Sequence, residues 1–332
     1  VDYLSAHVLL CLVPAFLIAG AMSALVPQGA IIRYLGPTTR KYISYPMAAV
    51  AGLVLAVCSC TILPLFAGIW KRGAGLGPAV TFLFIGPAIN ILTITYTGSL
   101  IGWDIAGARA VLAIVFGIAI GLLMAAIFKN RDDVQAAAVS QEDEPFGLRR
   151  LSFFIVLVLL LLVGTAQVNA ALKYSILAVL TLAMIAIIIF WLERSEAREW
   201  VLETWRFVKM IFPLLLAGVF LAGIAKELIP AELIQEHVGD NTIQANLYGV
   251  FFGIFMYFPT LLEVPIARMF LDLGMAKGPL LAYLLADPEL SIQSVLVTGR
   301  VMGWRRNAVY VGLVAVFTTL AGWLFGIALT VV

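Results

Sequence analysis

Apolar runs of membrane-crossing length follow one another along the chain, at 5–27, 44–69, 76–98, 105–128, 151–170, 174–192, 207–229, 244–270, 278–298 and 307–330. A bilayer core about 30 Å thick takes roughly 20 helical residues to cross, so the pattern predicts ten spans. Two stretches between them stay polar. Residues 129–150 (KNRDDVQAAAVSQEDEPFGLRR) read as a surface loop. Residues 193–206 (ERSEAREWVLETWR) read as a helix at headgroup level, where Trp200 and Trp205 would be at home.

Composition turns this pattern into a class. Of 332 residues, 63% are hydrophobic and 12% charged, with a mean hydropathy of +1.05, against about 45–50% and about 25% in soluble domains. Water cannot be the solvent of such a chain, and an all-α polytopic membrane protein, not an enzyme, is expected. A net charge of +2 argues against a nucleic-acid partner. His7 and His237 are too few for a histidine metal cluster and are assigned to surface positions. Cys11, Cys58 and Cys60 cannot build a disulfide framework, and Cys11 reads as a packing residue. No cofactor is expected. The first run is long enough to span and no small-residue cleavage site follows it, so it does not read as a signal peptide.

Ten spans divide the basic residues between two sides. Twelve, including Lys71, Arg72, Arg268 and Lys277, fall on the side where the chain starts. Nine, including Arg33, Arg40, Lys41, Arg109, Arg305 and Arg306, fall opposite. The positive-inside rule then puts both termini in the cytoplasm. Arg109 and Asp104, flanking the fourth span, read as its anchors.

The chain also matches itself at an offset of 201 residues. Gly52 falls on Gly253, Pro64 on Pro265, Gly73 on Gly274, and Gly77-Pro78 on Gly278-Pro279. Pro87 falls on Pro288, Gly102-Trp103 on Gly303-Trp304, and Phe116 on Phe317. Glycine, proline and tryptophan are not what apolar composition supplies by chance, so the match reads as a duplication. The expected plan is a four-span repeat at 1–128, a polar loop, two linking spans and an interfacial helix at 129–205, and a second repeat at 206–332. Six spans separate matched points. The copies should therefore point the same way, about an axis along the membrane normal.

Four matched prolines, Pro64, Pro87, Pro265 and Pro288, each remove a helical hydrogen bond. Carbonyls freed at membrane depth survive only against protein or a wet cavity, so helices broken around a central cavity are expected. Whether they are kinked through-helices or re-entrant pairs stays open. Glu263, Asp287 and Glu289 lie inside apolar runs of the second repeat. Intramembrane carboxyls mark pathways or proton relays, and these three are the candidate proton-coupling residues. A structural ion pair, with Arg268 as a nearby partner, is the competing reading.

The most distinctive string is Cys58-Ser59-Cys60-Thr61-Ile62-Leu63-Pro64. Residues two apart diverge by about 200° on a helix of 3.6 residues per turn, so convergent thiols need local unwinding beside Pro64. Thiolates select soft species; two small buried hydrophobes are the plain alternative.

The stretch CSCTILPLFAGIWKRGAGLGPAVTFLFIGPAIN, residues 58–90, resembles the predicted permeases of the bacterial arsenic permease family. Its shared elements are Cys58-Ser59-Cys60, Pro64, Lys71-Arg72-Gly73, Gly77 and Pro87 with Asn90. The resemblance implies an inner-membrane efflux permease, some of whose relatives export trivalent organoarsenicals such as methylarsenite. It gives Cys58 and Cys60 a substrate role and Asn90 a polar contact, and Thr61, next to Cys60 in the chain, is a further candidate substrate-binding residue. The partners expected are the bilayer, a small thiophilic solute and protons; oligomeric state is not legible. No G-x-x-x-x-G-K-S/T loop is present, so ATP hydrolysis by this chain is not expected. A permease for another soft metal or a sulfur- or selenium-containing solute stays open, as does a membrane thiol–disulfide protein.

Overall fold

The computed structural model describes residues 9–25, 33–37, 39–55, 59–89, 91–128, 148–165, 170–228, 237–255 and 260–331. Among these the regular structure is helical. The first half holds α1 (Leu9–Leu25), α2 (Lys41–Leu55), α3 (Ser59–Lys71), α4 (Leu76–Ala88), α5 (Ile91–Leu100) and α6 (Trp103–Ile127). Then come α7 (Leu148–Thr165), α8 (Ala170–Phe190) and α9 (Arg194–Leu228). The last part holds α10 (Ile243–Phe255), α11 (Thr260–Asp272), α12 (Lys277–Leu290), α13 (Ile292–Met302) and α14 (Trp304–Val331).

Among the described residues three stretches, within α6, α8 and α14, are each long and apolar enough to cross a membrane. The pairs α4–α5 and α12–α13, bent by 43° and 45°, would bring that to five. The ten-span reading is corrected first at 44–69 and 244–270, neither of which crosses. The backbone N–H of Gly75, just past α3, donates to the Leu35 carbonyl, just before α2, at 2.7 Å. Tyr45 in the second turn of α2 fills the space beside Gly77 and Gly121. Both outer ends of α2 and α3 therefore lie on one face, and the two helices form a splayed hairpin that enters and returns. A 15-residue helix rises about 22 Å at 1.5 Å per residue, so Leu55 and Ser59 reach well into the bilayer. The second hairpin repeats the device. Ala276 N–H donates to Val238 O at 2.9 Å, and Asn241 packs beside Gly278.

Glycine permits the sharp turns at the mouths of these hairpins. Gly73 and Gly274 have φ of 90° and 97°, a region closed to most side chains. The prolines lie beside the discontinuities: Pro64 and Pro265 in the second turns of α3 and α11, Pro87 and Pro288 in the last turns of α4 and α12.

The two halves run in opposite directions. Arg306, at the start of α14, stacks over Trp70 at 5.4 Å and Phe128 at 5.9 Å. Lys277, at the start of α12, pairs with Asp104 at 2.6 Å, and Arg268 donates to Leu100 O at 3.3 Å. Phe116 and Phe317 meet edge-on where α6 and α14 cross, ring centres 5.3 Å apart. The ten-span reading puts Lys277 and the Arg109 end of the fourth span on opposite membrane faces, and Lys71 and Arg306 likewise. The expectation of copies pointing the same way is overturned, because one re-entrant hairpin lies between any two matched points and lowers the six crossings between them to five. With cysteines placed at 104 and 277 in a chain lacking its native thiols, a short bifunctional thiol reagent is expected to link the two positions. Cysteines at 70 and 306 are expected to link as well, and loss of both links in folded protein would contradict this packing.

The segment 193–206 is also corrected: it is the start of one continuous helix, α9, and not a separate interfacial piece. Trp200 is buried, edge-on to Phe153, with its indole N–H donating to Leu17 O at 2.9 Å; Trp205 is exposed. Glu203 accepts from Ser23 at 2.9 Å and from Lys71 and Arg206, which gathers α1, α3 and α9 at one face. Burial pushes the Glu203 carboxyl up, but these donors and the Lys71 charge outweigh it and hold it below its ordinary value. A depressed carboxylate stabilises the fold above its unfolded pKa, and that contribution fades as pH falls through the folded one. The stability advantage of wild type over Glu203→Gln is therefore expected to shrink on acidification, read from thermal unfolding in detergent at neutral and acidic pH. An advantage that grew instead would contradict the assignment.

Candidate functional site

Four helix ends from each half point toward the middle: α2 and α3 from one face, α10 and α11 from the other, and the bends after Ala88 and Leu290 between them. Cys58 and Asn90 lie outside the described residues. Cys60 and Thr61 fall in the first turn of α3, where the backbone alone is described. The backbone at Cys60 and Thr61 thus stands at the inner end of the first hairpin.

The carboxylates are fully placed. Glu263 sits in the first turn of α11, 1% exposed, where the positive end of a helix dipole favours an anion. Its partner is Arg109 of α6, fully buried, whose Nη2 lies 3.0 Å from both carboxylate oxygens. Arg109 is therefore no anchor at a span's edge but the buried cation that meets the second hairpin. Arg268, the partner weighed from sequence, instead pairs with exposed Asp272 at 2.9 Å.

Asp287 and Glu289 lie in the last turn of α12, 1% and 2% exposed. A helix C-terminus disfavours negative charge. Glu289 accepts from the Tyr310 hydroxyl of α14 at 2.5 Å. Asp287 has no hydrogen-bond partner on either oxygen among the described residues, nor does the Tyr283 hydroxyl one turn earlier. The α10 backbone crowds this turn: a Cβ on Gly253 would come within 3.2 Å of the Asp287 main chain.

Arg109 and Tyr310 are 201 residues apart. The same position in each half therefore holds the partner of a buried carboxylate. That register was the signal by which both could have been found from sequence. The bend after α12 is held by Ser291, which donates to Ser294 at 2.8 Å, and Ser294 returns to Pro288 O at 3.2 Å. Thr298 donates to Asn307 at 2.6 Å and Asn307 to Val295 O at 2.8 Å, fastening α13 to α14.

Residues 1–327 match the model of the predicted-permease family ArsP_1. The chain belongs to this permease family. Among curated relatives, the permease is 44% identical to the UPF0718 protein MJ0584 of Methanocaldococcus jannaschii, over 99% of this chain and 94% of that one. It is 20% identical to the UPF0718 protein YraQ of Escherichia coli, over 85% and 66% of the two chains. A shorter match, 27% identical over 34% of this chain and 39% of the relative, links the permease to the UPF0718 protein YcgR of Bacillus subtilis. No solved structure matches it.

Proposed function

We propose that this permease moves a small thiophilic solute, with trivalent organoarsenicals such as methylarsenite the leading class, by proton-coupled alternating access. The observation that carries the reading is the pair of hairpins entering from opposite faces, the first closing in sequence at the Cys58–Cys60 string and the second bearing Glu263, with Asp287 and Glu289 on the neighbouring α12. Discontinuous helices meeting at mid-depth between inverted halves are a recurrent way to build a transport site. A neutral, soft solute suits thiol ligands and a site with few charges.

The duplication reading is part of the proposal and takes an inverted form. Element bounds recur at the 201-residue offset, 59–71 with 260–272 and 76–88 with 277–290. Contacts recur too: Trp103 on Gly98 and Trp304 on Gly299, Gly77 against Gly121 and Gly278 against Gly322. The two repeats, at 1–128 and 206–332, are joined by the 129–205 segment.

The inverted arrangement also changes the charge count by side. Arg33, Arg40, Lys41, Arg305 and Arg306 join Lys71 and Arg72 on one face, while Arg268 and Lys277 move to the other. The basic bias sharpens, and the positive-inside rule makes the Lys71 face cytoplasmic. The Leu9 end of α1 and the Val331 end of α14 then lie on the opposite face, reversing the orientation first read from sequence. Exporting cells would hold the protein in their plasma membrane, taking cargo from the Lys71 side.

Proton coupling rests on charge counting. Among the described residues the buried interior holds one guanidinium, Arg109, against three buried carboxyls, Glu263, Asp287 and Glu289, and an unpaired buried charge is costly. The carboxyls without a cation, on Asp287 and Glu289, are where protons reside. Everted vesicles containing the protein are expected to accumulate methylarsenite when a proton gradient is imposed, and Cys58→Ser/Cys60→Ser to lose most of that uptake. Uptake unchanged in the double variant would remove the thiols from the mechanism. No uptake by folded wild type would remove the arsenical, and competition among thiophilic solutes would then identify the cargo.

A further inference from the structure

The Arg109–Glu263 pair is chemically unfinished. A guanidinium presents five N–H donors in a fixed fork, yet here a single nitrogen spans both carboxylate oxygens. Its Nε and Nη1 are buried without a partner among the described residues. A second carboxylate is close at hand. Asp287 stands on α12, which packs against both α6 and α11, and neither of its oxygens has a hydrogen-bond partner among the described residues; Tyr283 lies one turn earlier on the same face of α12. Glu289 is engaged by Tyr310, which accounts for the titratable group of α14 nearest this site. Of the other helices on α6, α4 carries no titratable residue, α5 carries half-buried Tyr96, and Tyr45 of α2 lies at the far end beside Gly77. Three helices, α6, α11 and α12, thus bring one cation and two carboxyls together.

We propose that Arg109 is a shuttling cation, shared in turn by Glu263 and Asp287, so that one of them is ionised while the other holds the exchangeable proton. This deepens the proton-coupled reading and rests on it. In the arrangement described, Arg109 holds the first turn of α11 against α6 and the proton sits on Asp287. In the alternate arrangement Asp287 releases its proton to water and the guanidinium turns to the new carboxylate. Glu263 takes up a proton in exchange. Each arrangement carries one guanidinium, one carboxylate and one carboxylic acid, so no net charge is buried in either. The second differs in one mechanical respect: the inner end of the second hairpin is no longer tied to the opposite half.

Infrared spectroscopy of the purified protein tests this without any cargo, because a protonated carboxyl has its own C=O stretch. Wild type at neutral pH is expected to show such a band that disappears in Asp287→Asn and persists in Glu289→Gln. Glu263→Gln is expected to abolish the same band, since Arg109 then turns to Asp287 and ionises it. Glu263→Asp, which keeps the anion, is expected to retain it. An Asp287 band that persists in folded Glu263→Gln, or its absence from wild type, overturns the proposal. Should Glu263→Gln not fold, the wild-type and Asp287→Asn spectra still decide. A vesicle assay that fails with methylarsenite leaves this result standing, so the cargo and the shuttle fail separately.

Discussion

Arg109→Leu is expected to be among the most damaging single changes in the protein, and Arg109→Leu/Glu263→Leu far milder. Removing the guanidinium strands the Glu263 carboxylate at 1% exposure, and breaking a buried pair from one side costs about 3–5 kcal/mol. Removing both charges leaves no ion to desolvate, and apolar replacement of buried pairs is often neutral. Unfolding of the four proteins of the cycle in detergent measures the difference. A double variant as unstable as Arg109→Leu would mean the site needs its polar groups for packing rather than charge balance. The same double variant separates stability from coupling: it is expected to fold yet to carry solute only down its own gradient.

The second large effect is expected where helices touch through glycine. A Cβ at Gly278 would sit 2.8 Å from the Gly322 carbonyl, and one at Gly77 would sit 2.9 Å from that of Gly121. Backbone cannot yield as a side chain does, so α12 would be forced off α14, or α4 off α6. Overpacking of this kind costs about 1–3 kcal/mol, and Gly278→Leu should fall at or above the top of that range. Gly312 provides the contrast, with nothing within 4 Å of its added Cβ. Gly312→Ala is expected to be neutral or to gain about 0.5–1 kcal/mol, since glycine is a poor helix former. Equal damage at both positions would point to a general intolerance of α14 rather than to the crossing.

Much of this was legible in the chain before its fold. The runs at 105–128 and 307–330 are α6 and α14 almost to the residue, because a long apolar helix without proline has one way to lie in a bilayer. The discontinuities beside Pro87 and Pro288 were also legible. What hydropathy does not encode is whether an apolar stretch crosses or returns. The legs of the first hairpin have the composition of a single span, and the Gly75–Leu35 hydrogen bond and the approach of Tyr45 to Gly77 are what separate the two cases. Misreading one hairpin in each half turned an inverted arrangement into a parallel one and moved Lys277 to the wrong face. At the site, Glu263, Asp287 and Glu289 announced themselves as charges within apolar runs. Arg109 did not, since it stands six residues into its helix and looked like a flank.

The re-entrant hairpins also bear on how the chain is made. Neither α2 nor α3 can be released alone into lipid, because the peptide groups at its inner end would face hydrocarbon unpaired. The helices that shelter them, α4 and α6, are synthesised later. The first half must therefore leave the insertion machinery as a packet, from the first hairpin through α6, rather than one helix at a time. The second hairpin meets a different situation. Its cover includes the earlier half, already in place, with Arg109 waiting for Glu263. Assembly has a direction, and the polar contact that docks the second hairpin on the first half during biogenesis is the one proposed to open during transport.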